Sequence, residues 1–323
     1  MMTTFRFLFF VAVMALAGCQ TAGTMRLRDN IAPCAVEVFV DGRLEGSGWF
    51  AKPGDVVVTA AHVAPRKPAR LEIMTASRER MPVSVLALDR GHDLVLLRLP
   101  SSATNHLYLA VADGVPAPGS EVYVYGAAQF RHDLLLPGRV ARQTPSFECY
   151  GGERYVNVYY VGGASPHGIS GGCWVDCDGR VVGNQSGYMR HHDAPSGVAL
   201  VAPPDAIRRL VSTRQSAQTP TIQCAIEELW ERPVDFIKRF PAGTEGVVTM
   251  NVATNGPAYQ AGLRKEHVVI SADGKRVRLR DDFMNVIVSH KPGETIPMNV
   301  LKADDPTPIK ISVRLEQLEE LVP

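Results

Sequence analysis

Charge of one sign is what this 323-residue sequence lacks: 34 Lys and Arg stand against 33 Asp and Glu, a formal net charge of +1. Without a basic excess or a long basic run there is no electrostatic footprint for nucleic acid. A long apolar run is missing as well. The stretch Phe5–Leu16, with Arg6 as its one basic residue, is too short to cross a bilayer comfortably and has the form of a secretory signal. Convincing helical spacing is absent before Pro204, apart from a turn at Ala60–Val63. An even set of cysteines is lacking too. With Cys19 set aside, Cys34, Cys149, Cys173, Cys177 and Cys224 remain. At least one thiol therefore stays unpaired in an oxidising compartment, and the sequence assigns no pairing. The pair His191-His192 lies in a polar loop flanked by glycine, aspartate and proline and carries no metal motif. No metal and no organic cofactor is expected.

What is present is core and strand. Hydrophobic residues make up 46% and charged residues 21%, which suits globular domains with real cores, and the length suits two domains with short appendages. Short runs of strand formers recur at 34–40, 46–50, 56–59, 71–74, 83–88, 94–99, 121–125, 138–143, 155–160, 173–176, 180–183 and 198–201. Turn signals such as Asp41-Gly42 and Pro53-Gly54 separate them, which predicts an antiparallel barrel or sandwich. Cys173 and Cys177 read as structural, on a hairpin strand that ends at the Asp178-Gly179 turn. A short helix at 205–211 and a polar stretch at 213–221 close this region.

The stretch Ala164–Trp174 contains G-x-S-G-G, Gly168 to Gly172. Glycines there permit a tight turn that aims backbone N–H groups at one point, and a serine on it can attack a carbonyl. Such a serine needs a base and an orienting acid. His62 follows an apolar strand, between small residues, and its near-neutral pKa lets it take and return a proton. Asp93 stands at the mouth of a strongly apolar strand, where a carboxylate can hold one imidazole tautomer. Alone, each also reads as an ordinary strand-end or turn residue.

Together, G-S-G-W-F (46–50), V-T-A-A-H-V (58–63), D-L-V-L-L-R-L (93–99), G-I-S-G-G (168–172) and D-C-D-G-R-V-V-G (176–183) resemble the trypsin-like serine proteases of the HtrA (Deg) family. The intervals of 31 and 77 positions between His62, Asp93 and Ser170 suit that fold. The resemblance implies a chymotrypsin-like double β-barrel over 31–212. It makes Ser170 the nucleophile, His62 the general base and then acid, and Asp93 its orienter. The amides of Gly168 and Ser170 would form the oxyanion hole. Ser186, Gly187 and Tyr188 would pair with substrate, and Ala164, Pro166 and His167 would border an S1 pocket for a small or apolar residue. Ile169 departs from the family's usual asparagine, His167 is unusual beside the oxyanion turn, and Cys173 replaces a smaller residue or proline. The short connection 41–45 leaves no room for the long regulatory loop of some relatives.

Two further resemblances complete the reading. Leu16-Ala17-Gly18-Cys19 resembles the lipobox of bacterial lipoproteins, which implies a signal peptide at 1–18, lipidation of Cys19 and a tether at 19–30. Gln20 in place of aspartate favours the outer membrane, facing the periplasm. The runs 246–252, 255–263, 268–274 and 280–290, with later strands at 296–301 and 309–315, resemble a PDZ domain over 222–317, which leaves a tail at 318–323. Such a domain takes a peptide C-terminus as an added strand. Its groove would comprise Ile222, Gln223, Cys224, Ala225 and Ile226 with Phe283, Val286 and Ile287 of a helix. Ala225 stands where glycine is usual, which puts peptide binding in doubt. The whole is therefore expected to be mainly β. It is read as a membrane-anchored endopeptidase for unfolded envelope polypeptides, a homotrimer if it follows its relatives. Two other readings stay open: an inactive protease-like scaffold or chaperone, and a stress sensor whose PDZ domain gates the protease.

Overall fold

The computed structural model describes residues 23–64, 69–103, 106–150, 154–191 and 194–318. They form two compact units. The first takes in most of the chain to Gln215, and the second comprises Asp89–His92, Pro145–Val158 and the chain from Ser216.

The first unit opens with helix α1 (residues 23–31), in the segment read from sequence as a tether. Leu27 and Ile31, four positions apart and hence on one helix face, are buried at 6% and 0% exposure, so this segment is part of the core. Strands β1 (Ala35–Val40) and β2 (Arg43–Ala51) follow as a hairpin. Its turn residues Asp41 and Gly42 have φ of 49° and 83°, the left-handed pair that matches strand twist in a two-residue hairpin. With β3 (Val56–Ala60), β4 (Leu71–Thr75), β5 (Arg80–Pro82), β6 (Ser84–Asp89) and β7 (Leu94–Arg98) they make a seven-stranded sheet, order β5-β4-β1-β2-β3-β7-β6. Strand β3 is buried throughout, as expected for a Val-rich strand covered on both faces.

A second sheet closes completely. Strands β8 (Glu121–Ala128), β9 (Arg131–Cys149), β10 (Tyr155–Gly163), β11 (Cys173–Val175), β12 (Val181–His191) and β13 (Ala194–Ala202) form a barrel in the order β10-β13-β12-β11-β8-β9. Full closure leaves no sheet edge to aggregate. Val124, Tyr159, Ile169, Trp174 and Val201 fill its interior. A separate cluster joins α1, both sheets and helix α2 (Pro204–Thr213) through Ile31, Trp49, Leu94, Val175 and Ile207. Each such side chain, once fully buried, contributes about 1.5–3 kcal/mol.

The second unit begins within the polar stretch 213–221: β14 (Pro220–Thr221) pairs with β21 (Glu316–Gln317) and is buried. Its main sheet takes β15 (Cys224–Glu228), β16 (Val247–Val252), β17 (Val268–Ala272), β19 (Thr295–Lys302) and β20 (Asp305–Arg314) in that order, with β18 (Lys275–Arg276) beside β17 and β21 at Glu316–Gln317. Short helices α3 (Val234–Ile237) and α4 (Pro257–Gln260) and the longer α5 (Arg280–Val288) complete an α+β unit. Strand β15 ends the sheet. The far end of the β9–β10 hairpin, residues 145–158, belongs to this unit, a membership that strand periodicity alone does not reveal.

Candidate active site

Ser170 sits on the turn between β10 and β11 that the glycines were expected to make. Gly168 and Gly171 have φ of 92° and 83°, values only glycine reaches without strain. At Gly171 space is as decisive: a Cβ there would lie 2.1 Å from Thr59 Oγ1 and 2.2 Å from Ser47 O. The turn is thereby pressed against β2 and β3. Ser47 N–H donates to Ser170 O at 2.8 Å, and Ser47 Oγ donates to Gly168 O at 3.1 Å. Ser47 lies in the G-S-G-W-F motif, to which sequence reasoning gave no role. Ile169 is fully buried in the barrel interior, so the departure at this position is an apolar anchor where a polar residue is usual.

His62 stands three residues after Thr59, in the turn expected at 60–63. Its Nδ1 lies 2.7 Å from Asp93 Oδ2, and its backbone N–H donates to Asp93 Oδ1 at 3.0 Å. Ser186 Oγ donates to the same Oδ2 at 2.6 Å, so one carboxylate gathers three hydrogen bonds. The Asp93 side chain is 5% exposed and that of His62 29%. Facing the carboxylate holds the neutral ring's proton on Nδ1 and leaves Nε2 as the acceptor. Ser170 Oγ contacts Ser186 O at 3.5 Å. The residue assigned from sequence to substrate pairing thus also supports the carboxylate.

The peptide between His167 and Gly168 has a defined direction. His167 O accepts from Gln129 N–H at 2.7 Å. In a planar trans peptide the next N–H points the opposite way, so the Gly168 amide faces away from Gln129. His167 itself is exposed, and its Nε2 lies 2.9 Å from Tyr188 Oη with the rings edge-on. Beneath, Gln185 Nε2 donates to Ser165 Oγ and Gly187 O, both at 2.6 Å, while its Oε1 accepts from Trp174 Nε1 at 2.7 Å. Ala164 is exposed and Pro166 half-buried, and 164–168 and 186–188 contain no acidic residue.

In the second unit, Ile222, Cys224 and Ile226 of the expected groove are buried, as are Phe283, Val286 and Ile287 of α5. The left-handed residue before β15 is Gln223, at φ 54°, while Ala225 sits within the strand opposite Asn251. Position 225 therefore does not require the left-handed backbone that glycine would favour. The groove is occupied from within the unit. Tyr155 Oη accepts from Ile226 N–H at 2.7 Å and donates to Ile226 O at 3.1 Å, as an added strand would. Phe147 joins the same apolar cluster, its N–H donates to Asp281 Oδ1 at 2.9 Å, and Ser146 Oγ donates to the same carboxylate. Burial raises the Tyr155 hydroxyl pKa above its ordinary range.

Among the described residues Cys34 and Cys173 are buried thiols and Cys177 is an exposed one. Burial pushes Cys34 up to about 11 and Cys173 to about 12. Cys19, the apolar stretch 5–16 and His192 lie outside the described residues. Among the described residues no helix is long and apolar enough to cross a membrane, and no group of three acidic, His or Cys side chains is arranged to hold a metal ion.

The trypsin-like peptidase domain family matches residues 46–183, and the PDZ domain family matches 222–313. "Serine protease HTRA1" of Xenopus tropicalis is 24% identical over 286 residues, 83% of this chain and 59% of the relative. "Serine protease Do-like HtrA" of Bacillus subtilis is 26% identical over 55% of this chain and 41% of its own length. "Probable periplasmic serine endoprotease DegP-like" of Chlamydia pneumoniae is 22% identical over 84% of this chain and 55% of its own. The chain thus spans about three fifths or less of these curated relatives. Among solved structures, an "HtrA-type protease AlgW with decapeptide" superposes with a TM-score of 0.66 at 15% identity, covering 91% of this chain and 98% of that one. A serine endoprotease from Yersinia pestis gives 0.62 at 18% identity, covering 91% and 97%.

Proposed function

The chain is an HtrA-type protein, a trypsin-like peptidase domain followed by a PDZ domain, and from that premise we propose that it is a serine endopeptidase acting through Ser170, His62 and Asp93. The observation that carries the reading is the joint geometry of the site: a His62–Asp93 pair at 2.7 Å beside a serine turn whose His167 carbonyl is tied back to Gln129.

His62 Nε2 takes the Ser170 hydroxyl proton as Oγ attacks the scissile carbonyl carbon. The oxyanion of the tetrahedral intermediate lies between the N–H groups of Gly168 and Ser170, donors worth about 2.7–4 kcal/mol of barrier each. His62 then returns the proton to the leaving amine, and a water deprotonated by His62 hydrolyses the acyl-enzyme. Asp93, held by Ser186, keeps the ring oriented and stabilises its charged form. The absence of acidic residues at 164–168 and 186–188 supports a small or apolar residue at the cleaved position.

The substrates we propose are unfolded polypeptides of a bacterial cell envelope, since relatives include proteins described as periplasmic endoproteases. The Leu16–Cys19 pattern supports a lipid anchor at Cys19 on the outer membrane. A homotrimer is the assembly suggested by resemblance. The groove of the second unit, with Tyr155 on its strand edge, supports a PDZ domain that takes a peptide only when the hairpin end yields.

Digestion of casein by purified protein, with Ser170→Ala as control, tests the central reading. Cleavage lost in the variant, and fluorophosphonate labelling at Ser170, are expected. No cleavage and no labelling would leave a protease-like scaffold as the better description.

A further inference from the structure

The oxyanion turn is held from a distance. Its His167 carbonyl is secured by Gln129, and Gln129 belongs to the tight turn between β8 and β9. Its two residues Gln129 and Phe130 have φ of 48° and 61°, the left-handed pair of a two-residue hairpin but here built from residues with a Cβ, and Asp133 within β9 is left-handed as well at 58°. Phe130 is exposed and anchors nothing. The restraint comes from two residues just beyond it, His132 and Asp133.

His132 Nδ1 lies 2.5 Å from Glu37 Oε1. Asp133 accepts from Tyr125 Oη at 3.1 Å and from Arg78 Nη2 at 3.4 Å, and Arg78 Nη1 reaches the same Glu37 Oε1 at 3.5 Å. His132, Arg78 and Asp133 are each about half exposed, so as isolated surface pairs they would count for little. Glu37 is different. It is 8% exposed, sits on β1 and is paired in register with Ser47, the residue that holds Gly168 O and Ser170 O. Its Oε2 is buried with no hydrogen-bond partner among the described residues, beside a small pocket bordered by Tyr125, Arg78 and Asp133. A half-satisfied buried carboxylate is a costly group to keep in a sheet.

We propose that Glu37 is a positioning residue for the oxyanion hole: through His132 and the Arg78–Asp133 pair it holds the β8–β9 turn in the conformation whose Gln129 amide keeps the His167 carbonyl turned out. The inference rests on the serine-endopeptidase reading. Glu37 touches no substrate and acts only by selecting one of two peptide orientations, so its loss alters the populated fraction of competent enzyme.

Steady-state cleavage of a fluorogenic peptide by the full chain tests this, with Glu37→Ala, Glu37→Gln and His132→Ala. Glu37→Ala and His132→Ala are expected to lower kcat about tenfold or more, towards the 10²–10³ of a missing oxyanion donor, with KM within about twofold. Glu37→Gln keeps an acceptor oxygen and is expected to recover part of kcat. Affinity for a peptide boronate, which needs the hole, should fall with kcat. His132→Ala trims an exposed ring, so it remains informative if Glu37→Ala does not fold. Unchanged kcat in His132→Ala, or a raised KM at constant kcat, overturns the proposal while leaving an active wild type as a protease. A wild type that neither cleaves nor labels at Ser170 overturns both.

Discussion

Tyr155→Phe isolates what one hydroxyl does in the groove of the second unit. The ring that packs with Phe147, Ile226 and Phe283 is retained, and only the bonds to Ile226 N–H and Ile226 O are lost. Both backbone groups are then left without a partner while the hairpin end stays docked. An unpaired buried group costs about 1–3 kcal/mol, and the pair here, on a terminal strand that water can reach on opening, is set at about 1–3 kcal/mol in total. That weakens docking of the hairpin end by roughly 5- to 150-fold. A peptide adding to β15 needs the same N–H and C=O, so its apparent affinity rises by the factor by which the open groove becomes more populated. Anisotropy titration of a labelled decapeptide with an apolar C-terminus, on full-length Ser170→Ala with and without Tyr155→Phe, reads this directly. Weak binding with Tyr155 in place, and binding tighter by about tenfold or more once its hydroxyl is removed, are expected. Equal affinities, or tight binding with Tyr155 in place, would refute the idea that this hydroxyl stands in for an added strand.

Other outcomes follow from the first unit. Asp93→Asn should lower kcat by about 10⁴ through the wrong imidazole tautomer, measured by peptide hydrolysis. Ser186→Ala removes one 2.6 Å charge-assisted bond to Asp93 and should cost about 1.5–3 kcal/mol of transition-state stabilisation, visible as a roughly 10- to 100-fold lower kcat/KM. Gly171→Ala puts a methyl group 2.1 Å from Thr59 Oγ1 at a φ of 83°, and about 2–5 kcal/mol of strain and overpacking should lower Tm and abolish cleavage together. Alkaline pH should destabilise the fold: Cys34 and Cys173 hold their protons to about 11 and about 12, whereas an unfolded thiol loses its proton near 9.0. The unfolded state then binds fewer protons, so the contribution of these two thiols to denaturant stability is constant below pH 9 and is lost between about pH 9 and 12. A Cys173→Ala variant should show a shallower fall.

Legibility followed the range of the interactions. The alternation of β1, the continuous apolar runs of β3 and β7 and the Asp41-Gly42 hairpin were readable because period, composition and turn chemistry are local. So was the glycine turn around Ser170, since its φ values demand glycine whatever surrounds it. Helix α1 was not legible: only Leu27 and Ile31 mark its buried face, and the polar residues between them resemble a tether. Strand β9 starts at Arg131 rather than 138, in a run of three charged or polar residues, three leucines and a proline whose strand form is set by barrel pairing with β8. The departure at Ile169 was legible as a substitution, but that its side chain lies in the apolar interior of a barrel was not.

What the sequence by itself determined about this protein is its inventory: the strand periods, the glycines that license the serine turn, and a serine, histidine and aspartate in flanks that carry chemistry. Tertiary structure alone decided which way the His167–Gly168 peptide points, that Ser186 and not only His62 sits on Asp93, that Glu37 stands behind the β8–β9 turn, and that Tyr155 lies on the edge of β15. Each depends on one or two hydrogen bonds between residues tens of positions apart. A peptide orientation or an occupied strand edge is a choice between local conformers of similar energy, and only a partner delivered by the fold tips it.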